Sequence, residues 1–200
     1  MALRQRSASK KKTKPVKAPR ALTRRKNPES PAVLDGIDRS GSHSAARELS
    51  WAEFDRVVQQ LARELAKKFK PEAVVGVAHG GVFVGGALAS ALKVEFYPVR
   101  ISRRSRDQGV AAAPKLSGVM PKGLKGRRVV IVDDIAASGD TLELASELAM
   151  VAGAKAVATT ALVCRSKGFE PDFWWQRSAA FFVFPWDYDL STDQRFRALM

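Results

Sequence analysis

The chain has 200 residues, 46% hydrophobic and 27% charged, with a formal net charge of +14 and one cysteine. That length suits one α/β domain with a proper core rather than two, and the lone Cys164 excludes an intramolecular disulfide. No apolar stretch is long enough for a secretory signal or a membrane span, so a soluble, cytoplasmic protein is expected.

The charge is concentrated at the front, where residues 1–30 hold eleven Lys or Arg against one acid, Glu29, and so supply +10 of the +14. With almost no aromatic content and no apolar periodicity, residues 1–45 cannot bury enough surface to fold and read as a disordered basic tail, leaving 46–200 as the folded domain. Three uses are open to that tail: a quiet solvated extension, a weak salt-sensitive arm for polyanions, or a transit peptide. Against the last, its Lys-Lys-Lys block and prolines spoil an amphipathic helix. Order begins near Ser50. Ser50-Trp51-Ala52-Glu53 fits a capping box, and Phe54, Val57, Val58, Leu61, Leu65 and Phe69 make one apolar stripe that Pro71 ends. Residues 73–78 then read as a strand, His79-Gly80-Gly81 as a turn, 82–92 as a helix of small residues and 94–101 as a second strand.

Residues 102–127 show no convincing secondary structure, yet carry Arg103, Arg104, Arg106, Lys115, Lys122 and Lys125; a loop this long is either functional or merely solvated. A short β-branched strand over 128–132, a helix over 141–151 and a strand over 156–164 follow, the last ending on Cys164 as a packed, reduced thiol. An aromatic segment, 173–186, closes the sequence of elements. Strands alternating with helices predict an α/β domain with a central parallel sheet.

The stretch 129–142, Val-Val-Ile-Val-Asp-Asp-Ile-Ala-Ala-Ser-Gly-Asp-Thr-Leu, carries the chemistry. Ligands of open α/β sheets collect at the carboxyl ends of strands, and a helix N-terminus offers N–H groups and the positive dipole end to an anion. A phosphate beside two carboxylates is unfavourable unless the ligand also brings hydroxyls or a divalent cation. Ribose with Mg²⁺ satisfies both conditions. An ordinary βα turn with helix-capping aspartates is the plain alternative. Upstream, the backbone N–H groups of His79, Gly80 and Gly81 can approach a second anion without side-chain obstruction, unless the glycines serve only helix–strand packing. Two histidines, His43 and His79, do not suggest a structural metal site.

Residues 129–142 resemble the signature of the type I phosphoribosyltransferases, whose ligand is 5-phosphoribosyl-1-pyrophosphate (PRPP). The resemblance implies that Asp133 and Asp134 engage the ribose hydroxyls and Mg²⁺, directly or through metal-bound water, and that Ala137, Ser138, Gly139, Asp140 and Thr141 form the 5′-phosphate loop. His79, Gly80 and Gly81 match the pyrophosphate turn, with His79 where an arginine often stands, and 102–127 matches the flexible loop that closes over PRPP. Residues 171–175 and 180–187 are similar to xanthine and guanine phosphoribosyltransferases. By position Phe181 stacks on the base, Phe182 reads its edge through the backbone, and Arg165, followed by Lys167, stands where a lysine meets an exocyclic oxygen. Phe184, Trp174 and Trp175 read as packing. Ala137 departs from the 6-oxopurine enzymes, which carry an aspartate there, and Asp140 stands where glycine is common.

The resemblance covers about 50–187 and implies helices on both sides of the sheet, with a small hood built from the N-terminal helix region and the C-terminal aromatic segment. It further implies Mg²⁺-dependent transfer of phosphoribose from PRPP to a nucleobase, of purine type, in nucleotide salvage by a homo-oligomer. A PRPP-binding regulator of low activity, with the basic tail on nucleic acid, is the competing reading; Ala137, His79 and the tail motivate it. A phosphate-ester hydrolase is a third, but the sequence has no carboxylate–histidine cluster to hold its metals.

Overall fold

A computed structural model describes residues 46–102, 115–165 and 168–187. The basic tail, His43, Arg103, Arg104, Arg106 and Lys167 lie outside the described residues. A short strand, β1 (Arg47–Glu48), leads into α1 (Trp51–Lys68), whose N-cap Ser50 accepts a hydrogen bond from Glu53 N at 3.1 Å, one half of the expected capping box. The predicted stripe is the face α1 buries, with Phe54, Val57, Val58, Leu61 and Leu65 all at or below 6% exposure.

Four βα or ββ steps follow: β2 (Ala73–Ala78), α2 (Gly80–Leu92), β3 (Glu95–Ser102), β4 (Lys115–Ser117), β5 (Arg128–Ala136), α3 (Asp140–Val151), β6 (Ala156–Cys164) and β7 (Phe173–Arg177). The sheet order is β4-β3-β2-β5-β6-β7, parallel except for the edge strand β4, which runs antiparallel to β3. β5 is central, which fits a run buried on both faces. Side chains alternate across it. Val130 and Val132 join the core beneath α1 and α2, whereas Val129 and Ile131 join the core beneath α3. The sheet is thus covered on both sides, the arrangement expected from alternating strands and helices.

Several boundaries differ from expectation: β3 is shifted by one residue, to Glu95–Ser102, and three others depart as well. β5 continues through Asp133 and Asp134 to Ala136, since β6 supplies partners as far as Cys164. α2 begins at Gly80 rather than 82, and α3 at Asp140 rather than 141. The stretch 102–127 is not wholly irregular: it includes β4 and a 3-10 turn, Lys122–Leu124, that buries Leu124.

The hood is built as expected. β8 (Phe182–Val183) pairs in parallel with β1, and Trp186 packs against Phe54 of α1 and, ring to ring at 5.2 Å and 4°, against Phe83 of α2. Phe184 continues the stack on the other side of Trp186, at 4.9 Å and 5°. β7 is pinned to the sheet by Asp172, whose Oδ2 accepts from both the N–H and the hydroxyl of Thr159 at 2.8 and 2.9 Å. Asp172→Ala leaves the buried Thr159 N–H without this acceptor and is expected to cost about 1–3 kcal/mol in urea unfolding. Asp172→Asn, which keeps an acceptor oxygen, loses less.

Candidate functional site

The carboxyl ends of β2, β5 and β6 lie side by side, so the turns that follow them share one edge of the sheet. Strand alternation then gives the two aspartates different neighbours. Asp133, on the α3 face, lines a cavity of about 120 Å³ with Ile135, Ala137, Ser138, Gly139 and Thr141. Asp134, on the α2 face, lies against the first turn of α2: a Cβ added to Gly80 would sit 1.7 Å from its Oδ2. Adjacent in sequence, the acids therefore serve two turns.

The loop between β5 and α3 is small and tightly formed. Gly139 has φ +90°, a conformation that favours glycine, and its carbonyl accepts from Glu143 N at 2.9 Å to start α3. No side chain caps that helix from Gly139, so its first turn presents backbone N–H groups at the cavity edge. Asp140 and Thr141 are the first two residues of the helix rather than loop residues. Of the expected phosphate-loop residues, Ala137, Ser138, Gly139 and Thr141 line the cavity; Asp140 is exposed beside it.

On the other side of β5, His79 is exposed at the N-cap of α2 and makes no side-chain cap; the Ala78–His79 peptide is cis. Gly80 and Gly81 form the helix's first turn against the end of β5, where a Cβ on Gly81 would meet Val132 O at 2.4 Å. Glycine here is a requirement of backbone contact, and the same contact brings the α2 N-terminus to Asp134.

Burial holds the Asp134 carboxyl above the usual aspartate range, opposed by the hydrogen bond its Oδ1 accepts from Ile135 N at 2.7 Å and reinforced by the negative charge of Asp187. Asp187 was not foreseen from sequence. It follows the hood's aromatic run, where its Oδ2 accepts from Phe184 N at 2.8 Å. Among the described residues no group of three or more Asp, Glu, His or Cys side chains is arranged to hold a metal ion. The oxygen donors that are present, two carboxylates at the end of one strand, suit a hard cation that keeps most of its water and borrows ligands from a phosphorylated substrate.

The expected base-binding residues are on neighbouring segments. Phe181 is 61% exposed, whereas the Phe182 ring is buried between Trp175 and Phe184. The hydrogen bonds to β1 use the carbonyls of Phe181 and Val183, so by strand alternation the Phe182 N–H and C=O face away from β1. Arg165 donates its guanidinium to the carbonyl of Ala180, the residue before Phe181, which places it under the platform segment. Phe184 is buried and Trp174 and Trp175 half-buried, as packing requires. Ile135 and Phe169 were also missed. Ile135 is apolar at the end of an apolar strand and carries no signal, and Phe169 enters the site only through the close approach of two loops.

Asp134 provides a direct check on this electrostatic picture. With its native pKa raised above the unfolded value, the native state holds the extra proton, so stability falls as pH rises from the ordinary aspartate range through the raised pKa. Asp134→Asn, neutral throughout, should match wild type at the acid end in metal-free buffer and gain on it as pH rises through that window. Thermal unfolding across a pH series measures this, and an offset constant with pH would contradict it.

Known proteins were compared with this chain. A family model described as a phosphoribosyl transferase domain matches residues 48–193. The orotate phosphoribosyltransferase of Thermotoga maritima is 31% identical over 144 residues, 68% of this chain and 72% of that protein. The adenine phosphoribosyltransferase of Brucella ovis is 33% identical over 117 residues, 55% of this chain, and the match spans 64% of that protein's length, just under two thirds. Among solved structures, a purine phosphoribosyltransferase from Pyrococcus horikoshii Ot3 superposes with a TM-score of 0.65 at 30% identity, covering 71% of this chain and 94% of that one.

Proposed function

The chain belongs to the phosphoribosyl transferase family, and from that premise we propose that it transfers 5-phosphoribose from PRPP to a ring nitrogen of a nucleobase, releasing pyrophosphate. The observation that carries the reading is the division of labour at the end of β5, where Asp133 borders the phosphate-sized cavity and Asp134 borders the glycine turn of α2. A ligand with a phosphate at one end, a diol in the middle and a second anion at the other fits that order.

In this mechanism Ser138, Gly139 and Thr141, with the N-terminus of α3, hold the 5′-phosphate, and Gly80 and Gly81 with the N-terminus of α2 hold the pyrophosphate. Asp133 and Asp134 orient the ribose between them through its hydroxyls. Mg²⁺, held by the two aspartates directly or through water, would neutralise charge on the leaving pyrophosphate. A cation there would also offset the negative charge of Asp187, which adds to the burial that raises the Asp134 pKa. Most of the rate comes from holding the base nitrogen and the anomeric carbon in line and from stabilising departing charge.

Phe181 supplies the exposed face for the base, worth on the order of 1–3 kcal/mol as a stack, and the outward backbone of Phe182 supplies edge contacts. Arg165 spends one of its N–H groups on the Ala180 carbonyl, which fits support of the platform as well as donation to an exocyclic oxygen. Oxo and amino purines are therefore both candidates, with a purine favoured over orotate on the aromatic platform and the Pyrococcus likeness. The low-activity regulator is the less favoured reading, because the similar proteins are named as phosphoribosyltransferases.

Incubation of the protein with PRPP, Mg²⁺ and a panel of adenine, guanine, hypoxanthine, xanthine and orotate, while pyrophosphate is followed, tests the assignment. Release with at least one purine is expected. Tight PRPP binding with no release from any base would establish the regulator instead. Asp133→Asn should lower kcat/KM about a hundredfold through loss of ribose orientation.

A further inference from the structure

The segment that follows β6 meets the loop between β5 and α3 through Gly168 and Phe169, residues the proposed reaction does not use. Phe169 donates its N–H to the Ala137 carbonyl at 3.1 Å. Gly168 presses on the same carbonyl, since a Cβ there would lie 1.8 Å from Ala137 O. The Phe169 ring covers Gly139, where an added Cβ would meet the ring's Cγ at 2.1 Å. Behind it, the ring packs on the core under α3, and the Phe169 carbonyl accepts from the Cys164 thiol at 3.2 Å. Burial pushes the Cys164 thiol up from its ordinary pKa, so it keeps the proton it donates.

Residues 137–139 bring little side chain with which to fix the shape of the loop. Their side chains are a methyl, a hydroxymethyl and a hydrogen, Ala137 and Ser138 are exposed, and Gly139 is at a φ that a free glycine leaves readily. We propose that Phe169 is a positioning residue for the 5′-phosphate loop, its N–H fixing Ala137 and its ring fixing Gly139, so that the loop is in its binding form before the ligand arrives. This role rests on the reading of 137–141 as a 5′-phosphate cradle. The gain is preorganisation: a loop populated in its competent form for only about a tenth of the time would bind about tenfold more weakly.

Calorimetric titration of the full-length protein with ribose 5-phosphate and, separately, with pyrophosphate tests the role, because the two probes address different turns. Phe169→Ala is expected to weaken ribose 5-phosphate about tenfold while leaving pyrophosphate at the wild-type level, and Phe169→Tyr is expected to restore binding. Should Phe169→Ala fail to fold, Phe169→Leu, which keeps most of the volume but not the flat cover over Gly139, carries the same comparison. Unchanged ribose 5-phosphate binding, or equal loss of both probes, overturns the role. A wild-type protein that binds neither ribose 5-phosphate nor PRPP overturns the proposed function and the role with it. Normal wild-type binding with an indifferent variant overturns the role alone.

Discussion

The site depends on the approach of one helix start to one strand end. α2 can begin against β5 only because Gly80 and Gly81 have no side chains: the missing Cβ positions are filled by the Asp134 carboxylate and the Val132 carbonyl. That contact buries Asp134, raises its pKa and brings the N-terminus of α2 to the same edge of the sheet as that of α3. A methyl group at either glycine would separate the two turns. The hood meets the same edge, where its Asp187 adds its charge near Asp134.

The hood is tied to the same helix start. Phe83, in the first turn of α2, stacks on Trp186, Trp186 on Phe184, and Phe184 at 6.0 Å on Phe182. A column of rings thus runs from the glycine turn to β8, which directly follows Phe181. Trp186 Nε1 is buried in it with no hydrogen-bond partner among the described residues. The arrangement makes the Phe181 segment and the glycine turn of α2 parts of one packed unit, whereas the loop 137–139 is met from the other side, by the segment that follows β6.

Much of this was legible in the residues. The stripe from Phe54 to Leu65, the buried run of β5, the acid pair and the small loop after it each follow a local rule of period or composition, and each is found where the rule puts it. Boundaries were less legible, because a strand ends where its partner ends. Asp133 is paired with Ala161 of β6, and Asp134 lies between two paired residues of the same strand, although their chemistry reads as loop. β4 escaped notice for the same reason: three residues, Lys115 to Ser117, have no pattern of their own and are a strand only by bonding to β3. Arg165 was legible as a cation at the right strand end, but its engagement by the Ala180 carbonyl depends on a segment fifteen residues away.

Sequence alone determined the composition of the site, because chemistry that needs paired carboxylates, a hydroxylated loop and glycine turns must write those residue types into the chain. It also determined the alternation of strands and helices, since periodicity is local. Only the tertiary structure decided which way each acid faces, with Asp133 toward one turn and Asp134 toward the other, because that depends on the strand continuing past its apolar run. Tertiary packing alone likewise brought Phe169 onto Gly139 and Asp187 toward Asp134. Contacts across thirty or more residues are set by how layers stack, and no pattern within either segment records them.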